Sequence, residues 1–210
     1  MKPILLFAAL SAAMPVAASA TPSETPGPEQ IDIVDAIECR LDAPVYNGFA
    51  LALNGEEKIA DERGWVRIRN KNFLMNEYEL PAPIVVAGHY STRRIAFTSS
   101  GVLAILDLAD PALLAREQGI DNAVDPSPLI EVMIASGKAT PREIEAATRS
   151  RKFLGEKILV DRAELPAPGD SFGARTVIGR NVSNVTTHPG RTLYGCSYRI
   201  ELIDEHGKPF

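Results

Sequence analysis

The stretch Thr192–Ile203 reads TLYGCSYRIELI, and its side chains alternate in character along the chain. Such an alternation, with a period of two residues, predicts a β-strand with one buried face and one solvated face. The expected buried face carries Tyr194, Cys196, Tyr198, Ile200 and Leu202, and the expected solvated face carries Gly195, Ser197, Arg199 and Glu201.

The residues just before this strand predict that it is the second arm of a hairpin. Pro189 and Gly190 can occupy the centre of a type II turn, in which the second central residue needs a positive φ. Residues 174–187 precede the turn and are rich in Val, Ile and Thr, as strands are. We therefore expect an antiparallel hairpin that ends the fold.

Two helices are expected at the other end of the chain. Residues 31–41 place apolar side chains at helical spacing. In the next segment, residues 42–54, Asp42 can cap a helix that has Pro44 in its first turn. Phe49 and Leu53 fit a helical repeat, although they also fit a strand alternation. We favour the helix because Tyr46 then joins the same apolar face.

Between residues 64 and 108 the chain contains short apolar runs separated by turn residues, and similar runs recur over residues 152–164 and 174–187. Runs of this length and spacing are typical of an antiparallel sheet. We expect Pro81 and Pro83 to break one of these strands. The sequence predicts an α+β fold of about six to eight strands, with the two N-terminal helices packed on one face of the sheet.

Residues 110–151 interrupt the series of strands with two predicted helices. The first starts at Asp110 and ends at Gly119, and the second starts at the capping box of residues 140–143. We expect this helical excursion to lie outside the main sheet, to be more mobile than the strands and to form part of any partner surface. The alternative is a helical layer packed on the sheet.

The first residues of the chain have the features of an export signal. Residues 1–20 combine Lys2 with an apolar run and end in small side chains, which predicts cleavage between Ala20 and Thr21. A retained membrane anchor is the alternative. We expect residues 21–30, which contain three prolines, to be a disordered leader and residues 31–210 to form a single domain. The short signal favours a bacterial protein of the periplasm or one that is secreted, with no transmembrane segment after cleavage.

Cys39 and Cys196 are the two cysteines, and they lie 157 positions apart in sequence. A lone pair in an exported chain predicts a disulfide bond, with two free buried thiols as the alternative. We expect no metal site, since two cysteines without nearby histidine ligands are too few. The net charge of −5 and the scattered basic residues argue against a nucleic-acid partner.

Three histidines are present, and His89 and His188 each lie beside a predicted turn. Neither has a metal-ligand spacing, and the sequence contains no catalytic or cofactor motif, so we assign no catalytic residue, metal or cofactor. We expect a non-catalytic binding or interaction module of the cell envelope, with a monomer favoured and an envelope protein or small ligand as partner. The alternatives are a hydrolase that uses His89 or His188, and a structural envelope protein without a ligand. Solvated turn residues would be the plain interpretation of both histidines.

Overall fold

In a computed structural model of the chain, seven strands form one antiparallel sheet. The structure describes residues 26–55, 58–69, 74–123, 134–137, 140 and 153–210. The strands are β1 Val66–Ile68, β2 Asn76–Val86, β3 Tyr90–Phe97, β4 Gly101–Leu106, β5 Leu154–Glu164, β6 Gly173–Ser183 and β7 Thr192–Ile203. The helices that accompany them are α1 Ile33–Ile37, α2 Ala43–Asn54, α3 Ile59–Glu62 and α4 Pro111–Gln118. The predicted α+β fold, with helices packed on an antiparallel sheet, is confirmed.

The last strand joins the two halves of the sheet. The spatial order is β1-β2-β3-β4-β7-β6-β5, so β7 pairs with β4 on one side and with β6 on the other. The predicted hairpin of β6 and β7 is present, and Gly190 adopts the positive φ of 73° that the turn requires. The meander of β1 to β4 is therefore held to the β5–β6 pair through β7.

The first two helices pack on one face of β7. The Tyr198 hydroxyl donates a hydrogen bond of 2.7 Å to the carbonyl of Ala36 in α1. The ring of Tyr46 in α2 stacks on that of Tyr198, with centroids 4.2 Å apart. Phe49 on the next turn of α2 is buried against Phe97 of β3. This packing confirms the helix over residues 42–54 and places the main core between the helices and the sheet.

Local signals position both helices, although less fully than expected. The Asp32 carboxylate accepts a hydrogen bond from the Val34 amide and caps α1, which is only five residues long. Asp42 occupies the N-cap position of α2, but its side chain makes no capping bond. The expected helix over residues 31–41 is shorter because Cys39 turns the chain with a φ of 59°.

The expected break of a strand at Pro81 and Pro83 was wrong, because β2 continues through both prolines. The register between β2 and β3 shifts between Glu79 and Ile84, so an irregularity absorbs the two residues that cannot donate a ladder hydrogen bond. Both prolines are exposed. The strand thus reaches its turn at residues 87–89, where Ala87 and Gly88 both have a positive φ.

The alternation of β7 describes its exposure only in part. Residues 192–198 are buried on both faces, whereas Ile200 and Leu202 are 44% and 51% exposed. The loop of residues 184–191 covers the face opposite the helices, where Val185 packs on a small second core of Met75, Ala96, Ile105 and Leu193. On the first face Ile200 and Leu202 lie past the buried aromatic side chains.

The helix expected from Asp110 to Gly119 is present as α4. The Asp110 carboxylate accepts a bond from the Ala112 amide, and Gly119 ends the helix in the left-handed region. Leu114 and Ala115 are buried, so this part packs on the core. The second predicted helix, which starts at residues 140–143, lies almost wholly outside the described residues, and the excursion as a whole stays a prediction. Within the described residues, no helix is long and apolar enough to cross a membrane.

Candidate functional site

The predicted disulfide joins the helical layer to the central strand. Cys39 follows α1 and Cys196 lies in the middle of β7, and their Cα atoms are 5.3 Å apart. Cys196 is fully buried. The bond therefore connects the start of the domain to its last strand, as the sequence predicted. The predicted cleavage site of the export signal, between Ala20 and Thr21, lies outside the described residues.

A nearly buried carboxylate beside the disulfide was not predicted, and the Glu38 side chain that carries it is 10% exposed. One oxygen of Glu38 accepts a hydrogen bond of 2.6 Å from the Ala87 amide, and the other accepts one of 2.9 Å from the Tyr194 hydroxyl. Arg180 lies 3.6 Å from the same carboxylate and donates to the Glu38 carbonyl. Burial, with the Glu38 charge second, raises the pKa of Tyr194. Both carboxylate oxygens are satisfied, so this cluster holds the disulfide region in place.

His89 lies on the surface. Its ring contacts that of Tyr90, with centroids 4.2 Å apart, and the residue is exposed in the turn between β2 and β3. Within the described residues, it makes no hydrogen bond to a serine or carboxylate. The arrangement matches a solvated turn residue.

His188 is buried, and it lies at the opposite end of β2 from His89. Its Nε2 atom is 3.0 Å from Oε1 of Glu77, and its Nδ1 atom is 3.0 Å from the Thr187 hydroxyl. Glu77 is fully buried and also accepts a hydrogen bond of 2.6 Å from Arg94. The structure therefore does not bring the two histidines together, and the interpretation of His188 as a solvated turn residue was wrong.

Glu77, Arg94 and His188 form a cluster, here called the Glu77 cluster, that links distant parts of the sheet. Glu77 is on β2 and Arg94 on β3, while His188 belongs to the loop after β6 that crosses the face opposite the helices. Glu77 Oε2 is buried and has no hydrogen-bond partner within the described residues. A hydroxyl, an imidazole and a carboxylate in series can transfer a proton. The arrangement can equally hold the loop on the sheet, because a buried carboxylate needs charged or hydrogen-bonding partners.

Sequence reasoning could not find Glu77. In β2 it is one of several polar residues that alternate with Tyr78 and Leu80, which is the pattern of a solvated strand face. The face is covered by a loop more than a hundred residues away in sequence, and no local signal marks that contact.

Several apolar side chains remain exposed on the face of β5, β6 and β7 that carries the helices. We define the open end as the three apolar residues that stand beside or beyond the buried Tyr198 on the face that carries the helices, each 40% to 51% exposed: Val160, Ile200 and Leu202. Tyr198, the neighbour of Ile200 on the same face of β7, is 1% exposed. Exposed apolar side chains grouped on one face of a sheet are common at interaction sites.

The opposite face of the same strands is polar and internally paired. Arg175 donates to the Asp161 carboxylate at 2.6 Å, and Arg199 donates to Glu156 at 2.6 Å. Hydrogen bonding from Arg175 lowers the pKa of Asp161. Partial burial alone would raise the pKa of Glu156, but hydrogen bonds from Arg199 and Ser197 outweigh it and lower this pKa. The charges of this face are thus satisfied within the sheet.

No family model, curated protein or solved structure matches the chain, so the sites are interpreted from their own geometry. Among the described residues, no group of three or more His, Cys, Asp or Glu side chains could hold a metal ion. The disulfide, the Glu77 cluster and the open end are therefore the three features from which a function can be argued.

Proposed function

We propose that the chain is an exported protein of the cell envelope that acts as a binding module and holds a partner protein at the open end. Export is supported by the signal-like residues 1–20 and by a disulfide, because such bonds persist in oxidising compartments. The observation that carries the binding role is the exposure of the open end.

The open end supports binding because its exposed apolar side chains stand on strands that are held in place by their neighbours. Ile200 and Leu202 stand on β7, whose preceding residues are held by two neighbouring strands and by the disulfide. A partner that covers these side chains removes apolar area from water, which stabilises the complex by about 25 cal/mol for each Å². The binding surface is largely pre-formed, so little conformational entropy is lost on association.

The proposal is tested by comparing two lysine variants in affinity capture from envelope extract. Ile200→Lys changes a residue of the open end, and Leu113→Lys changes a residue of α4 that is also 44% exposed. We expect a partner that is retained by the native protein and by the Leu113 variant and is lost from the Ile200 variant. If both variants retain the same proteins as the native chain, the open end is not the binding surface.

A hydrolase that uses His188 is the second candidate function. The observation that favours it is the contact of 3.0 Å between His188 Nε2 and the buried Glu77, with the Thr187 hydroxyl on the other ring nitrogen. Thr187 is exposed and could reach a substrate, whereas the imidazole is buried.

Ester hydrolysis tests this second candidate. The native protein is assayed with a chromogenic acetyl ester, beside the variants Thr187→Val and Thr186→Val. Thr186 is the adjacent exposed threonine and serves as the matched control. Activity that is lost only in the Thr187 variant would support the hydrolase, and equal rates for all three proteins would exclude it.

A further inference from the structure

The two outer strands of the sheet differ in length and in exposure. β1 has three residues, whereas β5 has eleven, and every residue of β5 except Gly155 is exposed. Proteins protect the edges of their sheets by keeping edge strands short or interrupted, because unpaired N–H and C=O groups accept another strand. β1 is short in this way. β5 instead presents Ile158, Leu159 and Val160 in the middle of a long edge, and no described strand pairs with its outer side.

The pairing of β5 with β6 assigns the β5 side chains to the two faces of the sheet. On β5, Lys157 lies opposite Arg180, Val160 opposite Ile178 and Arg162 opposite Thr176. These three residues of β6 pair in turn with Cys196, Tyr198 and Ile200 of β7, which are on the face that carries the helices. Lys157, Val160 and Arg162 therefore lie on the same face. Two cationic side chains therefore stand on either side of an apolar one along this face of the edge.

These two cations are available to a partner. Lys157 donates to the Gln118 carbonyl at 3.4 Å and, among the described residues, has no carboxylate within 4.0 Å. Arg162 pairs with Glu164 at 2.9 Å, and their side chains are 72% and 66% exposed. Such exposed ion pairs contribute little and exchange readily. The helix side of β5 is thus locally basic in a chain of net charge −5.

A second copy of the chain fits this edge poorly. Leu159 is the extra residue of a bulge, after which the faces of β5 are exchanged. Antiparallel pairing of β5 with its own copy across the bulge would place Lys157 opposite Arg162 or Glu156 opposite Asp161. Like charges directly opposite each other destabilise a strand pair.

We propose that β5 accepts an extended segment of a partner protein as a further strand, and that this segment carries acidic side chains on either side of an apolar one on the helix-bearing face. The inference rests on the proposed binding function and adds the chemistry of the partner. Backbone hydrogen bonds to the open edge supply affinity, and the pairing of acidic residues with Lys157 and Arg162 supplies specificity.

The test uses two synthetic peptides of about nine residues, which is within the usual length of a strand. One has the sequence Thr-Thr-Glu-Thr-Val-Thr-Glu-Thr-Thr, and the other has lysine in place of both glutamates. Binding is followed by hydrogen exchange of residues 154–164 and by titration. We expect the acidic peptide to protect these amides and to bind about tenfold more tightly than the lysine peptide.

A charge exchange makes the test specific. In the double variant Lys157→Glu and Arg162→Glu we expect the preference to reverse toward the lysine peptide, whereas Arg116→Glu on α4 should leave it unchanged. Equal affinities for the two peptides, or no protection of residues 154–164 at millimolar peptide, would overturn the inference. Protection that instead rises with protein concentration alone would identify a second copy as the occupant and also overturn it. The proposed function would survive either result if the Ile200 variant still lost its captured partner.

Discussion

Tyr46 and Tyr198 stack on each other in the core, but their hydroxyl groups differ in one hydrogen bond. Tyr198 donates to the Ala36 carbonyl, whereas the Tyr46 hydroxyl is buried with no partner within the described residues. Burial raises the pKa of both side chains. An unsatisfied buried hydroxyl carries a desolvation cost, and a satisfied one contributes about 1 kcal/mol.

We therefore predict opposite results for two phenylalanine variants. Tyr46→Phe should leave the free energy of unfolding unchanged or raise it, because it removes a group without a partner. Tyr198→Phe should lower the free energy of unfolding by about 1 kcal/mol, because it leaves the Ala36 carbonyl without that donor. Urea denaturation with a constant m-value measures both. Equal losses in the two variants would show that Tyr46 has a partner in solution.

Glu77 is the residue on which the covering loop depends. Replacing one member of a buried, hydrogen-bonded charge group leaves the others unpaired, so we predict that Glu77→Gln destabilises the protein by about 3 kcal/mol. Glu79→Gln is the matched control, since the Glu79 side chain lies two residues along β2 and is 49% exposed. That variant should stay within about 0.5 kcal/mol of the native protein in urea denaturation. Similar midpoints for both variants would refute the importance of the buried carboxylate.

At the scale of elements, β5 is held to its neighbours partly by carboxylates whose pKa values are lowered. Hydrogen bonding from Arg175 lowers the pKa of Asp161, and bonds from Arg199 and Ser197 outweigh the effect of burial on Glu156. A lowered pKa in the folded state means that the contribution to stability is present above the ordinary carboxyl pKa of about 4. It is lost as the pH falls through the lower, folded value.

We predict that acid loosens the pairing of β5 with β6 before it affects β4 and β7. The measurement is hydrogen exchange of residues 154–164 at about pH 7 and about pH 3, corrected for the intrinsic dependence of exchange on pH. The variant Asp161→Asn should reduce the difference between the two conditions, because it removes one of the titrating groups. A uniform loss of protection across the whole sheet would contradict a local effect.

The elements that the sequence predicts well are those with a strong local pattern. β7 has the predicted bounds, α2 was correctly preferred over a strand, and α4 begins and ends at its capping residues Asp110 and Gly119. The errors have tertiary causes. β2 passes through Pro81 because an irregular register tolerates it, and the loop that buries Glu77 comes from a distant part of the chain. Alternation in a single strand cannot show which of its faces another segment will cover.

The features of the candidate site also divide into those with a signal in the sequence and those that depend on tertiary packing. The disulfide could be predicted because the chain has two cysteines and its first residues predict export. The open end could not, since Ile200 and Leu202 continue the apolar alternation of a buried face and only the extent of the packed layer leaves them exposed.

At the scale of the whole molecule, the predicted export signal determines which form of the chain we expect to fold. We predict that the exported protein begins at Thr21, because the small side chains of Ala18 and Ala20 follow an apolar run. Intact-mass measurement of protein recovered from the periplasm of a bacterial host gives the answer directly. A mass that includes residues 1–20 would refute the prediction and favour the retained anchor.

The bond between Cys39 and Cys196 makes the first helix and the last strand a single unit, with 157 positions of chain between its two ends. A cross-link over so long a loop restricts the unfolded chain, which on the entropy argument contributes up to about 5 kcal/mol. We predict that the double variant Cys39→Ala and Cys196→Ala lowers the free energy of unfolding by about 2–5 kcal/mol in urea denaturation. The native protein under reducing conditions is the control and should unfold at a similar midpoint, because it lacks the same constraint. Thiol titration of the denatured, unreduced native protein completes the test: two free thiols per chain would show that the bond does not form, and the whole predicted difference would then disappear.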